Sequence, residues 1–185
     1  MLTLKTERVF LRPLELEDER ILWPYVSNPE ISRDMSWEPH QTLSDTRRFV
    51  NDTLESMKNG KSITWCIFFK DRFCGLFSLI GILKSHRALI YNKAELAYWI
   101  GPEYQGQGIM TEAGIKVIEY AFNSLHLNKL VVGHHIENKN SENLILRLGF
   151  KYLYTEEEVF QKGGKWITCK FYELKSRDYF KKKQL

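Results

Sequence analysis

The sequence predicts an α/β (α+β) protein built on one mixed sheet. Three observations lead there. Strand-like and helix-like segments follow in the order strand, helices, a run of strands, then strand–helix–strand–helix–strand. A glycine-rich turn joins a strand to a strong helix in the second half of the chain. No Pro-, Gly- or Ser-rich linker divides the 185 residues, so residues 1–185 read as one domain, with a basic C-terminal tail over 175–185.

Val9 to Leu14 alternates loosely and reads as the first strand. Asp18 to about Val26 reads as a short helix with Pro24 inside or ending it. Arg33 to Thr42 is a loop holding Trp37, Glu38, Pro39 and His40. Ser44 then offers an N-cap to a helix with Phe49, Val50, Leu54 and Met57 on one face, stopped by Gly60. Ile63–Phe69 and Phe73–Ile82 form a hairpin around Lys70-Asp71-Arg72, and Glu95–Ile100 is a further strand. A helix from Thr111 to about Leu125 places Ile115, Ile118, Ala121, Phe122 and Leu125 at 3 and 4 spacing. Leu130 to Ile136 is a strand, and Asn138 caps a helix with Leu144, Ile145 and Leu148 on its apolar face and Gly149 past its end. Two strands around Lys162-Gly163-Gly164-Lys165 close the chain.

Composition narrows the function classes. Apolar residues make up 43% and charged residues 27%, an ordinary globular balance that excludes collagen-like, coiled-coil and wholly disordered chains. The net charge of +4 is too mild to demand nucleic acid or an anionic membrane, and no basic–aromatic motif points to RNA or DNA. Cys66, Cys74 and Cys169 are odd in number and widely spaced, the pattern of reduced thiols in a cytoplasmic protein. The longest apolar run, Cys74 to Leu83, is half of the ~20 residues of a membrane span, and the N-terminus has no apolar signal core.

The informative segment is Tyr104-Gln105-Gly106-Gln107-Gly108-Ile109-Met110-Thr111, between a strand and a helix. Glycines let the backbone turn tightly and approach a ligand, and the helix start supplies unpaired N–H groups at the positive end of its dipole. Together they suit a phosphate or pyrophosphate. A dinucleotide fold wants a small residue where Thr111 stands, and the P-loop pattern G-x-x-x-x-G-K-[ST] is absent.

Gln105-x-x-Gly108-x-Met110 resembles the Q/R-x-x-G-x-G/A signature of the GNAT superfamily of acetyltransferases. The string from Glu95 to Ala113 is similar to its ribosomal-protein-alanine (RimJ/RimL-type) branch. So are Asn138-x-x-Ser141 with Leu148-Gly149-Phe150, the N-terminal Thr6-Glu7-Arg8, and the loop Trp37-x-Pro39. The resemblance covers nearly the whole chain. It implies a mixed, mostly antiparallel central sheet of about seven strands flanked by helices, with a splayed parallel pair made by Glu95–Ile100 and Leu130–Ile136. Acetyl-coenzyme A would lie in the gap. Main-chain groups near Trp99 and Ile100 would pair with its pantetheine arm. The turn after Gln105, with amides of Gly106, Gln107, Gly108, Ile109, Met110 and Thr111, would hold its pyrophosphate. Met110 replaces the signature's small residue, but only its N–H is needed.

The implied reaction is direct attack of an amine on the thioester, the acceptor being a protein N-terminal α-amine or a small-molecule amine. It needs a group to take the amine's proton and a donor for the departing sulfur. Glu95, in an apolar strand, is the candidate base, with burial raising its pKa; a structural pairing with an arginine, or a water relay, is the alternative. Many GNAT members carry a tyrosine acid where this chain has Ile145. The RimL-type branch uses the Ser of N-x-x-S, here Ser141, which otherwise serves only the first turn of its helix. Asn138 is a helix cap and a cofactor contact. Trp37, Glu38 and His40 either line the acceptor site or anchor their loop. Glu156-Glu157-Glu158 reads as solvated surface, with Phe160 in the slot of an acidic residue of the branch. His134 and His135 point to opposite faces of a strand, so no metal site is expected. A non-catalytic coenzyme-A-binding sensor or interaction module is the alternative reading. Monomers and homodimers both occur in the family.

Overall fold

The computed structural model describes residues 3–183. Its strands are β1 (Leu4–Lys5), β2 (Val9–Pro13), β3 (Ile63–Phe69), β4 (Arg72–His86), β5 (Leu89–Ile100), β6 (Lys129–His135), β7 (Lys151–Lys162) and β8 (Lys165–Lys175). They form one eight-stranded sheet in the order β1-β2-β3-β4-β5-β6-β8-β7. Every neighbouring pair is antiparallel except β5 with β6. The strand beyond the expected seven is β1, where Leu4 pairs with Leu11.

Helices cover both faces. On one side α4 (Ile109–Asn123) and α5 (Lys139–Arg147) pack Val117, Ile118, Ala121 and Ile145 against Trp65, Phe77, Leu79 and Leu130. On the other, α1 (Glu19–Val26), α2 (Pro29–Ser32) and α3 (Leu43–Lys58) bring Leu22, Ile31 and Val50 onto Cys66, Leu76 and Trp99. The alternation of β5 feeds both cores. Ala94 and Leu96 enter the first and Trp99 the second.

Several boundaries differ from expectation for physical reasons. The cap of α3 is Thr42, not Ser44. Its hydroxyl accepts from the Asp45 N–H at 3.2 Å and the Asp45 carboxylate accepts from the Thr42 N–H at 2.9 Å, a reciprocal box that Ser44 has no partner to make. Helix α4 starts at Ile109, two residues early, because Gly108 in the left-handed region hands the chain straight into it. Its buried face runs through Met110, Ala113 and Val117, which leaves Ile115 half-exposed. The β4–β5 hairpin extends past Ile82 and back to Leu89; the polar stretch Lys84 to Arg87 shows no alternation, yet Ser85 pairs with Ile90. The basic tail is largely helix. Ser176–Lys183 form α6, and Tyr179 and Phe180 pack their rings on Phe122 at 5.2 and 6.5 Å. Residues 184 and 185 of the expected tail lie outside the described residues. All three cysteines are free and buried. Among the described residues no helix is long and apolar enough to cross a membrane.

Candidate active site

The sheet splits at its one parallel pair. Strands β5 and β6 pair only at Lys93 with Lys129, Ala94 with Leu130 and Glu95 with Val131. Beyond Glu95, β5 stays with β4 and β6 stays with β8, so the two strands diverge and open a cleft of about 610 Å³. The Gly101 N–H donates to the Cys74 carbonyl of β4 at 2.8 Å. By alternation Trp99 also turns its main chain to β4, while Tyr98 and Ile100 turn theirs to the gap. Of the two residues expected to offer main-chain groups there, Ile100 is placed to do so. Trp99 instead lends its ring to the second core beside Tyr25 and Phe73.

The glycine-rich turn stands at the mouth of the cleft. Gly106 and Gly108 have φ of +73° and +77°, a conformation that costs a residue with a Cβ. No side chain caps α4. The N–H groups of Ile109, Met110 and Thr111 in its first turn therefore remain for an outside acceptor. Gln105, Gly106, Gly108, Ile109, Met110 and Thr111 border the cleft. Gln107 turns away, its side-chain amide donating to the Glu103 carbonyl at 2.9 Å. Glu112, a negative charge in this first turn, is held by Arg8 at 2.7 Å. Arg147 of α5, which no motif singled out, donates to the Thr111 hydroxyl at 3.2 Å and adds a cation to the same rim. An uncapped helix start with a guanidinium beside it fits a pyrophosphate.

Glu95 lies at the apex of the split. It is exposed to the cleft, and its carboxylate has no hydrogen bond or ion pair among the described residues. Protein atoms crowd its other sides, and that loss of hydration lifts its pKa above the ordinary carboxylate value. Ser141 faces the same cleft from the first turn of α5. Its N–H donates to the Asn138 side-chain oxygen at 2.9 Å, so Asn138 is the helix cap, and its hydroxyl lies 2.9 Å from the phenol of Tyr98. The sequence offers Tyr98 only as an aromatic that could shape a pocket; its contact with Ser141 spans 43 positions and two elements.

The far end of the cleft is bounded by Ile31, Asp34, Met35, Val159, Phe160 and Phe171. Helix α2 contributes Glu30 and Ile31, and the loop after it contributes through residues 33–36 and not through Trp37, Glu38 or His40. Trp37 packs on the second core. Its ring lies 5.8 Å from that of His40, whose Nδ1 lies 3.0 Å from the Thr46 hydroxyl. Glu38 is exposed. Lys162, at the end of β7, pins the loop by donating to the carbonyls of Ser32, Met35 (2.7 Å) and Trp37 (2.8 Å). Glu156, Glu157 and Glu158 are exposed on β7, while Phe160 turns into the cleft. His134 stacks on Tyr172, and His135 Nδ1 lies 3.8 Å from an Asp34 oxygen.

A mixed sheet that splits at one parallel pair, with a glycine-led helix start at the mouth of the split, is the arrangement of an acyl-transferring fold. Residues 8–151 match the model of the acetyltransferase (GNAT) domain, and the chain belongs to that family of N-acetyltransferases. Among its relatives, the uncharacterized N-acetyltransferase p20 of Bacillus licheniformis is 30% identical over 97% of this chain and 99% of that protein. Spermidine N(1)-acetyltransferase of Escherichia coli (strain K12) is 30% identical over 77% of this chain and 72% of that protein. Among solved structures, RimL, a ribosomal L7/L12 α-N-protein acetyltransferase in complex with coenzyme A, shares the fold with a TM-score of 0.85 at 19% identity, over 94% of this chain and 98% of that one.

Proposed function

We propose that this protein is a single-domain enzyme that transfers the acetyl group of acetyl-coenzyme A to an amine held at the far end of the cleft, and that the acceptor is a protein N-terminal α-amine. The observation that carries the reading is the position of Glu95, an unpaired carboxylate at the apex of the split. The amine nitrogen bonds to the thioester carbonyl carbon, its proton passes to Glu95 directly or through water, and the C–S bond breaks with its electron pair leaving on sulfur. Ser141 supplies the hydrogen bond that stabilises that sulfur. Main-chain groups of Tyr98 and Ile100 act as a strand edge for the pantetheine arm. The first-turn amides of α4, with Arg147, take the pyrophosphate.

The apolar end of the cleft supports an α-amine whose neighbouring side chain is small or apolar. The relatives include a spermidine acetyltransferase, and the three carboxylates that border the cleft, Glu30, Asp34 and Glu95, favour a polyamine as the second reading. The three buried, unpaired cysteines support a cytoplasmic setting.

The test is thiol release from acetyl-coenzyme A against N-terminal peptides beginning with Ser, Ala or Met, polyamines, amino acids and aminoglycosides. Turnover with the peptides alone is expected. Turnover with polyamines alone would move the acceptor to the second reading. No release with any amine, while acetyl-coenzyme A still raises the melting temperature, would leave a non-catalytic binding module.

A further inference from the structure

The chain has no tyrosine at position 145, yet a phenol stands beside Ser141. Tyr98 reaches it from β5, with its ring 5.3 Å from that of Phe77 and its hydroxyl 2.9 Å from the Ser141 Oγ. The Tyr98 hydroxyl makes no other hydrogen bond among the described residues, so Ser141 is the one acceptor they offer its proton. With Ser141 as the donor the phenol proton would have no acceptor within the protein, whereas with Tyr98 as the donor both hydroxyl protons have somewhere to go. Ser141 makes no other side-chain hydrogen bond either. With a lone pair engaged by Tyr98 and its backbone held by the Asn138 cap, it keeps its own proton free for the cleft.

We propose that Tyr98 is a positioning residue for acetyl transfer: by donating to Ser141 it orients the serine proton toward the sulfur of the departing thiolate. The inference rests on the function proposed above. The pair donates a hydrogen bond and keeps its protons. Burial pushes the Tyr98 phenol up to about 12, whereas a thiol ionises at about 8.5, so the thiolate is too weak a base to take the phenol's proton. The sulfur therefore leaves as a thiolate held by Ser141 and is protonated from solvent, while the amine's proton goes to Glu95 or water. Tyr98 thus supplies from the strand a phenol that this chain lacks on the helix.

The test uses Tyr98→Phe, Ser141→Ala and the double variant, with two readouts. In steady-state kinetics each single variant should lose roughly 10- to 100-fold in kcat with little change in KM for acetyl-coenzyme A. The double variant should be no slower than Ser141→Ala alone. The second readout needs no acceptor: the pKa of the thiol of bound coenzyme A, followed by thiolate absorbance. It should rise by about one unit in Tyr98→Phe and in Ser141→Ala, and no further in the double variant. Wild-type kcat and an unchanged thiol pKa in Tyr98→Phe, or losses that multiply in the double variant, would overturn the proposal. If wild-type protein turns over no amine, the proposed function fails. The thiol titration then decides the Tyr98–Ser141 pair by itself.

Discussion

The proposed role of Glu95 as the base sets catalysis against stability. Crowding at the apex of the split disfavours its charged form, so its pKa in the folded protein lies above the unfolded value. A group raised in this way stabilises the fold when protonated, and that contribution is lost as pH rises through the folded pKa. A base, by contrast, works only when deprotonated. Activity should therefore fall as pH drops through the raised Glu95 pKa, an acid limb higher than an ordinary glutamate gives. Glu95→Gln should lower kcat by roughly 100-fold or more and remove that limb, while its melting temperature at neutral pH equals or exceeds that of wild type. A pH–rate profile and a thermal melt check both halves. An acid limb that persists in Glu95→Gln would assign the proton to another acceptor. The carboxylate itself was legible in the sequence as a charge in an apolar strand. The contact of Tyr98 with Ser141 was not, because a phenol in a strand can be read as shaping a pocket but its partner is set by the fold.

At the scale of elements, the turn before α4 and the Lys162 clamp on residues 32–37 stand at opposite ends of the cleft. Gly108→Glu adds a side chain at a φ of +77° and a negative charge at a helix start left open for an anion. Affinity for acetyl-coenzyme A, measured by calorimetry, should fall below detection, and unchanged affinity would remove the turn from the binding site. Lys162→Met should act at the other end. It leaves the carbonyls of Ser32, Met35 and Trp37 without their shared donor and frees the loop from the β7–β8 hairpin. The expected result is a several-fold rise in KM for the amine, little change in KM for acetyl-coenzyme A, and faster amide exchange over residues 32–37. Unaltered exchange there would mean that packing alone holds the loop. The turn was readable because its glycines, its strand and its helix are contiguous. The clamp was not, because Lys162 and Ser32 lie 130 positions apart.

For the whole molecule, the split lies within one eight-stranded sheet packed between two helical layers, so binding there should stabilise the folded state as a unit. Acetyl-coenzyme A at about 100 times its Kd adds about 2.7 kcal/mol, which for a chain of this size is roughly 5–10 °C in melting temperature. A thermal scan that shows no shift at saturating concentration would remove the cleft from consideration as the cofactor site. What the sequence determined by itself was local. The Asn138 cap, the glycine turn, the period-2 and period-3.6 patterns and the order of elements each depend on neighbours a few residues apart. The tertiary structure decided where Glu95 stands relative to the split, which stretch of the 30–40 loop reaches the cleft, and that Tyr98 meets Ser141. Those are long-range contacts, fixed by how strands pair and twist across the sheet. The pattern along one strand shows which face a side chain takes but not which partner the fold sets opposite it.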